Sequence, residues 1–387
     1  MNILFLEWKN YCVPDMLEAF KEAGHQVTLV SCPEMTDRDS KEFAPRFETL
    51  LAQDSYDMVF TFNYYPIVSK SCNPINLSYV SWVYDNPLIT LYSYTVIYPC
   101  NYIFLFDYRS YEKLHSQGIK TVYYLPLCAN PTRLCKEGGS FIRKNDISFV
   151  GSLYNEPRQR LYDRLNGADS YTRGYIDALT RTQSRIGGYF FLEEFLTNDI
   201  VDALQKVCPM PPNSDGAETS AYVYAQYFLG RKATSIERHD LLAALSNYFN
   251  VNLYTHEQPT DLPNVNYRGK IDYYDTMPSV FKQSKINLNI TLKTIETGIP
   301  LRAWDILGCG SFLLSNFQEE LCNYFIPGED FVYYESIEDA INKVHYYLTH
   351  DTEREEIARN GLEKIKAAHT FHHRVESMFE IINTDPN

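Results

Sequence analysis

The sequence lacks the cysteine and histidine patterns that hold metals or disulfide frameworks. Its nine cysteines are scattered, odd in number and without a CxxC pair, and its nine histidines include neither an HxH nor an HExxH spacing. Structural and catalytic zinc sites depend on such spacings. We therefore expect free, buried thiols in a reducing cytoplasm and no bound metal.

Three further fingerprints are absent. The chain contains no GxxxxGK[ST] loop, no GxGxxG turn and no GxSxG elbow, which argues against a P-loop NTPase, a dinucleotide dehydrogenase and an α/β-hydrolase. The one uncharged stretch that mimics a membrane span, Leu88 to Phe106, is interrupted by Pro99 and Asn101, so buried strands explain it better. The segment that starts at Met1 has no basic leader, and no signal peptide is expected.

The chain has fewer basic than acidic residues. Over 387 residues, 35 Lys and Arg stand against 49 Asp and Glu, for a net charge of -14. Binding to duplex DNA or to an anionic membrane needs the opposite sign, so neither nucleic acid nor a lipid surface is an expected partner. A local basic pocket for one small phosphorylated ligand stays possible. The length favours two domains.

Short apolar runs alternate with helical patterns, which is typical of parallel α/β sheets. Strands are predicted at Asn2–Leu6, Gln26–Val30, Met58–Phe62, Tyr79–Tyr84, Tyr102–Phe106 and Thr121–Leu125, then at Asp146–Val150, Val251–Tyr254, Val265–Tyr267, Ile286–Ile290 and Ser311–Ser315. A glycine-containing linker at Asn130–Asn145 separates the two groups, residues 155–246 are largely helical, and helices at Thr352–Ala368 and His372–Ile382 close the chain. Two Rossmann-like domains, 1–140 and 141–369, are expected.

Ligands of open parallel sheets bind at the carboxyl ends of strands, so strand-to-helix turns are the first candidates for a site. The strand Asp146–Val150 runs into Gly151-Ser152, where the backbone can approach a phosphate closely. A purely structural turn is the alternative.

The segment from Lys293 to Asp305 is a second candidate. Pro300 suits the first turn of a helix, so the amides of the helix N-terminus are expected to point back at Thr297-Gly298. Together with Lys293 and Arg302, that partial positive charge can neutralise a diphosphate without a metal, and Asp305 can accept hydrogen bonds from ribose hydroxyls. A capped helix with solvated charges is the alternative.

Several stretches of the sequence, one of which overlaps the second candidate segment, are recognisable. They are Ser284–Asn289, Gly298–Gly310, Gly328–Asp330 and His369–Arg374 in the second half, and Phe62–Pro66, Ser81–Pro87 and Phe104–Asp107 in the first. Through them the chain resembles the CgeB-like (spore maturation protein B) bacterial glycosyltransferases of the GT-B superfamily. Its C-terminal part is similar to their "glycosyl transferases group 1" domain. The likeness covers nearly the whole chain.

The resemblance implies an α/β GT-B fold, with two Rossmann-like domains facing each other across a cleft. Residues 141–369 would bind a nucleotide-sugar, residues 1–140 an acceptor, and the last helix, 370–387, would return to the first domain. The implied activity is metal-independent transfer of a hexose, from a UDP-sugar by preference, to a cell-envelope, spore-surface or protein acceptor, without a cofactor. A sugar-nucleotide-binding module without turnover, and a GT-B epimerase or donor hydrolase, are the alternatives.

Retaining relatives carry two glutamates around the second candidate helix, one for the donor sugar and one for the ribose. Asp305 matches the second. The first matches less cleanly, because Thr297 occupies the expected place and Glu296 lies one residue further from Asp305. The sugar contact and the stereochemistry of transfer therefore stay open. Gly298 and Ile299 would offer backbone amides to the phosphates.

Breaking a nucleotide-sugar leaves negative charge on the diphosphate, so catalysis needs fixed positive groups and exclusion of water. Arg302 and Lys293 are expected to supply that charge. Arg238 is another candidate for the diphosphate, with a surface helix charge as its alternative.

Asp85, in the aromatic turn Trp82–Pro87, is the candidate acceptor-facing carboxylate. In an inverting enzyme it would serve as general base. An Asx-type turn cap is its alternative. Glu7, at the end of the first strand, is a second choice for that role.

Overall fold

The computed structural model describes residues 1–136 and 142–384. The predicted linker glycines Gly138-Gly139 and the predicted domain boundary at 140/141 lie outside the described residues. The chain divides into two compact units. The first comprises Met1–Leu127, Pro212–Glu218 and His369–Asn387, and the second comprises Cys128–Pro211 and Thr219–Ala368.

The first unit is built on a parallel six-stranded sheet with the order β2-β1-β3-β4-β5-β6. Its strands are β1 (Asn2–Glu7), β2 (Gln26–Ser31), β3 (Met58–Phe62), β4 (Ser78–Val83), β5 (Asn101–Leu105) and β6 (Val122–Tyr124). Its helices are α1 (Val13–Glu22), α2 (Phe43–Gln53), α3 (Pro66–Cys72), α4 (Tyr108–Ser116) and α15 (Phe371–Thr384), with short 3₁₀ turns at Pro33–Thr36, Asn73–Ile75, Ile89–Tyr92 and Tyr94–Ile97.

Apolar runs explain the strands of this unit, and apolar faces explain its helices. Every residue of β3 and of β5 is buried, as expected of parallel strands that helices cover on both faces. In α1 the buried Met16, Ala19 and Phe20 recur at helical spacing. The Phe20 ring meets that of Phe379 on α15 at a centroid distance of 6.4 Å, so the last helix packs on the first one.

The second unit has its own parallel six-stranded sheet, with the order β12-β11-β10-β7-β8-β9. Its strands are β7 (Asn145–Val150), β8 (Val251–Tyr254), β9 (Asn266–Tyr267), β10 (Ser284–Asn289), β11 (Leu313–Asn316) and β12 (Val332–Tyr334). Its helices are α5 (Pro131–Leu134), α6 (Ser170–Gln183), α7 (Asn198–Val207), α8 (Ser220–Val223), α9 (Gly230–Ser246), α10 (Met277–Lys282), α11 (Leu301–Gly308), α12 (Glu319–Tyr324), α13 (Ile337–Thr349) and α14 (Asp351–Ala368). A 3₁₀ turn spans Leu161–Leu165, and a π-helical segment, Tyr224–Leu229, joins α8 to α9. Among the residues described, no helix is both long and apolar enough to cross a membrane.

Each sheet has one point where the order of its strands reverses. In the first unit the reversal lies between β1 and β3, and in the second it lies between β7 and β10. The carboxyl ends of the two strands at such a switch point form the usual ligand crevice of an open parallel sheet. In the second unit, the connection from β7 to β8 contains α6 to α9, and we call residues 155–246 the helical insertion.

Arg374 anchors α15 within the first unit. Its side chain is buried, Nε donates to the carbonyl of Pro126 at 2.8 Å, and Nη2 donates to the carbonyl of Leu127 at 3.1 Å. Nη2 also lies 2.9 Å from Nδ1 of His369. The guanidinium thereby joins the last helix to the segment that follows β6.

We expect Arg374→Ala to lower the free energy of unfolding by about 2–4 kcal/mol, because buried carbonyls would lose charged donors. Urea unfolding of the full chain measures the change. Glu380→Ala, an exposed position on the same helix, is the matched control and should stay within about 0.5 kcal/mol of the wild type. Equal stabilities of the two variants would contradict the anchoring role.

Candidate active site

The connection from β10 to α11, residues 290–300, lies at the switch point of the second unit, and we call it the β10–α11 loop. The backbone N–H of Thr291 donates to Oδ1 of Asn316 at 2.9 Å, at the end of β11. The backbone N–H of Lys293 donates to Oγ1 of Thr234 at 2.9 Å, on α9. Neighbouring elements on two sides therefore fix the start of the loop.

Lys293 is a buried cation with an assigned counter-ion. Its side chain is 5% exposed, and Nζ lies 3.0 Å from Oε2 of Glu237. Nζ also donates to the carbonyl of Ile186 at 3.2 Å. Burial raises the pKa of Glu237, whereas the positive charges of Lys293 and Arg238 oppose that rise. The ammonium thus joins two parts of the helical insertion, α9 and the segment at Ile186, to the β10–α11 loop.

Arg238 is buried as well, and backbone carbonyls accept from its guanidinium. Nε and Nη2 donate to the carbonyl of Ile290 at 3.1 and 2.5 Å, and Nη1 donates to the carbonyl of Ser152 at 2.5 Å. The rings of Phe149 and Tyr154 lie 5.4 and 4.9 Å from the guanidinium carbon. Arg238 therefore links the turn after β7 to the end of β10 across the switch point. Its burial excludes the solvated surface charge that the sequence left as an alternative.

Gly151 and Ser152 form the turn that Arg238 holds. The backbone N–H of Gly151 donates to the carbonyl of Tyr254 at 3.0 Å, and a Cβ at this position would lie 3.2 Å from the Phe149 ring. The Ser152 hydroxyl donates to Oε2 of Glu156 at 2.7 Å. Glu156 is a buried carboxylate that sequence reasoning missed, because a single glutamate in a polar loop carries no distinguishing pattern.

The middle of the β10–α11 loop contains Glu296 and Thr297, and each has a partner from another element. Oε2 of Glu296 accepts from the backbone N–H of Phe190 at 3.1 Å, within the helical insertion. The Thr297 hydroxyl donates to Oε1 of Glu320 at 2.8 Å, and the N–H of Glu320 donates to the carbonyl of Thr297 at 3.1 Å. Glu320 is buried and lies in the first turn of α12, far along the chain, so no spacing rule selected it. Gly298-Ile299 follow and lead into α11.

Asp305 is almost fully buried on α11, at 1% exposure. The helix begins at Leu301, and Pro300 is its N-cap with extended backbone angles, one residue before the predicted place. Oδ1 of Asp305 accepts from the Tyr273 hydroxyl at 2.9 Å, and Oδ2 lies 3.4 Å from Nη1 of Arg302. The carboxylate that the sequence assigns to a ribose thus forms hydrogen bonds with side chains of its own unit.

Arg302 is directed toward α10. Its guanidinium contacts Sδ of Met277, lies 5.8 Å from the centre of the Phe281 ring and pairs with Asp305. Lys293 pairs instead with Glu237. The structure therefore brings Arg302 and Asp305 together, and it gives the two predicted cations separate partners.

Close packing fixes α11 from two sides. A Cβ at Gly308 would lie 2.7 Å from Cβ of Ala129 and 2.8 Å from Cδ1 of Leu134. A Cβ at Gly361, on α14, would lie 2.6 Å from the carbonyl of Asp330 and 2.8 Å from Cδ2 of Leu307. Since real Cβ atoms do not approach this closely, both positions require glycine for the helix to sit where it does.

Asp85, in the first unit, follows β4 and is exposed. Nδ2 of Asn63 donates to Oδ2 of Asp85 at 2.8 Å, while Oδ1 of Asn63 accepts from the N–H groups of Tyr84 at 2.9 Å and Asp85 at 3.1 Å. Asn63 has a φ of 61°, a left-handed conformation that asparagine tolerates better than most residues. Asn63, from the neighbouring β3, therefore caps the turn and orients the carboxylate of Asp85.

Tyr65 belongs to the same corner of the first unit. Burial raises the pKa of Tyr65 to about 12, with the carboxylates of Asp85 and Glu7 adding to the rise and a hydrogen bond from Asn10 opposing it. Glu7 ends β1 and Asn63 follows β3, the two strands that flank the switch point of this unit. The negative charges of the predicted carboxylates Asp85 and Glu7 thus both act on the Tyr65 phenol.

No three His, Cys, Asp or Glu side chains within residues 1–136 and 142–384 are grouped so that they could hold a metal ion.

We expect Glu237→Gln to flatten the pH dependence of stability. The folded-state pKa of Glu237 is raised above its ordinary value of 4.5, so the folded chain binds more protons than the unfolded chain, and this group lowers stability as pH rises from about 4.5 through the folded-state pKa. One group contributes at most about 1.4 kcal/mol per pH unit. Urea unfolding across about pH 4.5–8 measures the slope in both proteins.

The matched control for this comparison is Glu356→Gln, whose side chain is 61% exposed. Its slope should equal that of the wild type, since an exposed pair contributes little. If Glu237→Gln also keeps the wild-type slope, the buried pair does not titrate as described.

Residues 233–380 match the family described as glycosyl transferase-like, a segment that contains α9, the β10–α11 loop and α11. No curated protein sequence matches the chain.

Solved structures match over nearly the whole chain at low identity. Sucrose-phosphate synthase from Thermosynechococcus elongatus has a TM-score of 0.56 and 10% identity, with 99% of this chain and 98% of that chain covered. A glycosyltransferase from Rickettsia africae has a TM-score of 0.57 and 9% identity, with 99% of each chain covered. HepE from Anabaena in complex with UDP-glucose has a TM-score of 0.52 and 10% identity, with 99% of this chain and 100% of that chain covered. The predicted α/β GT-B fold is confirmed, and the match over residues 233–380 to a glycosyl transferase-like family lies in the C-terminal part, where the resemblance placed such a domain.

Proposed function

We propose that the protein is a metal-independent, CgeB-like bacterial glycosyltransferase. It transfers a hexose from a nucleotide-sugar, with a UDP-sugar favoured, to a cell-envelope, spore-surface or protein acceptor, and it acts in the cytoplasm. The observation that carries this proposal is the switch point of the second unit, where the β10–α11 loop of the glycosyl transferase-like domain meets the turn after β7. The UDP-glucose bound to the similar HepE supports the choice of donor.

Stabilisation of the leaving diphosphate is the first task of such a site. Gly298-Ile299 precede α11, whose N-terminus carries a partial positive charge that favours a diphosphate. Lys293 is held in place by Glu237 and has three ammonium donors in all, so it can keep that pair while it donates to a phosphate oxygen. Arg302, 29% exposed in the first turn of α11, supplies a second positive charge. Charges fixed in advance stabilise the transition state without reorganisation.

The other donor contacts follow from the same frame. Arg238 holds Gly151-Ser152 close to the end of β10, so that a phosphate can approach this turn. Asp305 would exchange the Tyr273 hydroxyl for the hydroxyls of a ribose. For the donor sugar, Glu296, in the β10–α11 loop, is the candidate carboxylate.

Deprotonation of the acceptor hydroxyl is assigned to the first unit. Asp85, oriented by Asn63, would take the proton of the acceptor hydroxyl in an inverting reaction, while that oxygen bonds to the anomeric carbon and the diphosphate departs with the bonding electrons.

One observation favours a second candidate, a donor-binding module without turnover. Glu296 already accepts from the N–H of Phe190, and the Thr297 hydroxyl is bonded to Glu320. Both groups next to the expected position of the donor sugar thus have protein partners. A site of this kind can bind a nucleotide-sugar without activating it.

A donor panel distinguishes the two functions. UDP-, GDP-, ADP- and dTDP-sugars are tested with EDTA present, and nucleotide release and thermal shift are followed together. Slow release from one donor is the expected result and supports metal-independent turnover. A thermal shift without release, even after acceptor extracts are added, supports the binding module. No response to any donor overturns the assignment of the β10–α11 loop.

We expect Arg302→Ala to reduce nucleotide release at saturating donor by about 10- to 100-fold, because positive charge on the leaving group is lost. Steady-state kinetics with the donor identified by the panel measures kcat. Arg359→Ala, which removes an exposed arginine of α14, controls for net charge and should leave kcat unchanged. Full turnover in Arg302→Ala would remove this residue from the mechanism.

A further inference from the structure

The helical insertion carries a series of neighbouring aromatic side chains, which we call the aromatic strip: the exposed Tyr171, Tyr189 and Phe195, the half-buried Tyr175 and the buried Phe191. Ring centroids of Tyr171 and Tyr175 lie 6.4 Å apart, those of Phe191 and Phe195 lie 5.5 Å apart, and those of Tyr189 and Phe191 lie 6.4 Å apart. The Tyr175 hydroxyl donates to the carbonyl of Phe195 at 2.8 Å, which connects the two halves.

Three rings of the strip face solvent. Tyr171 is 73% exposed, Tyr189 is 50% exposed and Phe195 is 51% exposed. Single exposed apolar residues are ordinary on protein surfaces, but several in one contiguous patch mark a binding surface. The core does not account for these three rings, because most of each ring lies outside it.

Hydrogen bonds hold two of the rings, Tyr175 and Tyr189, in place. The Tyr189 hydroxyl donates to Oε2 of Glu194 at 2.7 Å, and Tyr175 is fixed by the Phe195 carbonyl. Tyrosine has few rotatable bonds, and a fixed ring loses little entropy on binding. Tyr175 and Tyr189 are therefore oriented before a ligand binds.

One end of the strip adjoins the β10–α11 loop. Ile186 and Phe190 stand on either side of the two glycines and Tyr189 in sequence. The carbonyl of Ile186 accepts from Nζ of Lys293, and the N–H of Phe190 donates to Glu296. A chain-like ligand on the strip would thus end beside the residues to which the donor is assigned.

We propose that the aromatic strip binds a neutral oligosaccharide or polysaccharide, the acceptor chain of the transfer. This inference rests on the proposed function, and it names the chemical class of the acceptor. The C–H face of a pyranose ring is apolar and flat and stacks on an aromatic ring, while its hydroxyls donate to carboxylates at the ring's edge. The strip offers both kinds of group, since rings and the Glu194 carboxylate lie side by side.

The same carboxylate disfavours other occupants. An apolar protein face on the strip would have to bury the Glu194 charge without a compensating cation. An anionic membrane would be repelled by Glu194 and by the net charge of -14. Sugar hydroxyls can satisfy the carboxylate instead.

The test measures binding of maltohexaose, cellohexaose and chitohexaose to the full chain by saturation-transfer NMR and calorimetry. At least one hexasaccharide should bind. The double variant Tyr171→Ala, Phe195→Ala should weaken that binding by about tenfold or more, since two stacking rings are removed. Tyr248→Ala, a 70% exposed tyrosine outside the strip, is the matched control and should bind as the wild type does.

Donor thermal shift on the same proteins separates this inference from the proposed function. A double variant that responds normally to the donor and has lost the hexasaccharide supports the strip as a glycan site. If no hexasaccharide binds, or if the double variant binds it as the wild type does, the inference is overturned. A wild type that assembles through the strip, with the double variant sedimenting as a smaller species, would also overturn it in favour of self-association. Loss of the donor response in the wild type would instead count against the proposed function.

Discussion

The second unit depends on one buried guanidinium. Parallel strands end with carbonyl groups that no further strand pairs, and these must find donors when they are buried. Arg238 supplies such donors to Ser152 and Ile290, after β7 and β10. The two turns at the switch point are therefore linked directly by a single side chain.

The face of α9 that carries Arg238 makes further contacts with the β10–α11 loop. Thr234, Glu237 and Arg238 are spaced by three and four residues, so they lie on one side of the helix. Thr234 binds the backbone of Lys293, Glu237 binds its ammonium, and Arg238 binds the carbonyl of Ile290. One helix thus determines both the path of the β10–α11 loop and the charge that the loop carries. It follows that the helical insertion, which ends in α9, is part of the site's framework as well as of its surface.

Local patterns account for most of the fold and for little of the site. The runs Met58–Phe62 and Val251–Tyr254 coincide with β3 and β8 because a parallel strand is marked by its own apolar residues. The strand β12 was not predicted from the sequence. Lys293, Arg238 and Asp305 were selected from sequence.

The partners of these residues were not identified from the sequence. Glu237, Glu320 and Tyr273 are brought to them by tertiary packing across long stretches of chain. A motif identifies which residue types a site needs, but it does not say which of them are already bound by the protein, and here most of them are.

The glycine contacts of α11 have a consequence for how this enzyme class can diversify. Because Gly308 and Gly361 allow no side chain, α11 cannot shift or tilt without disturbing Ala129, Leu134 and the Asp330 backbone. Lineages that acquire a new sugar or a new acceptor would keep this helix in a fixed position. Variation would then accumulate in the helical insertion between β7 and β8. Its surface residues can change without moving α11.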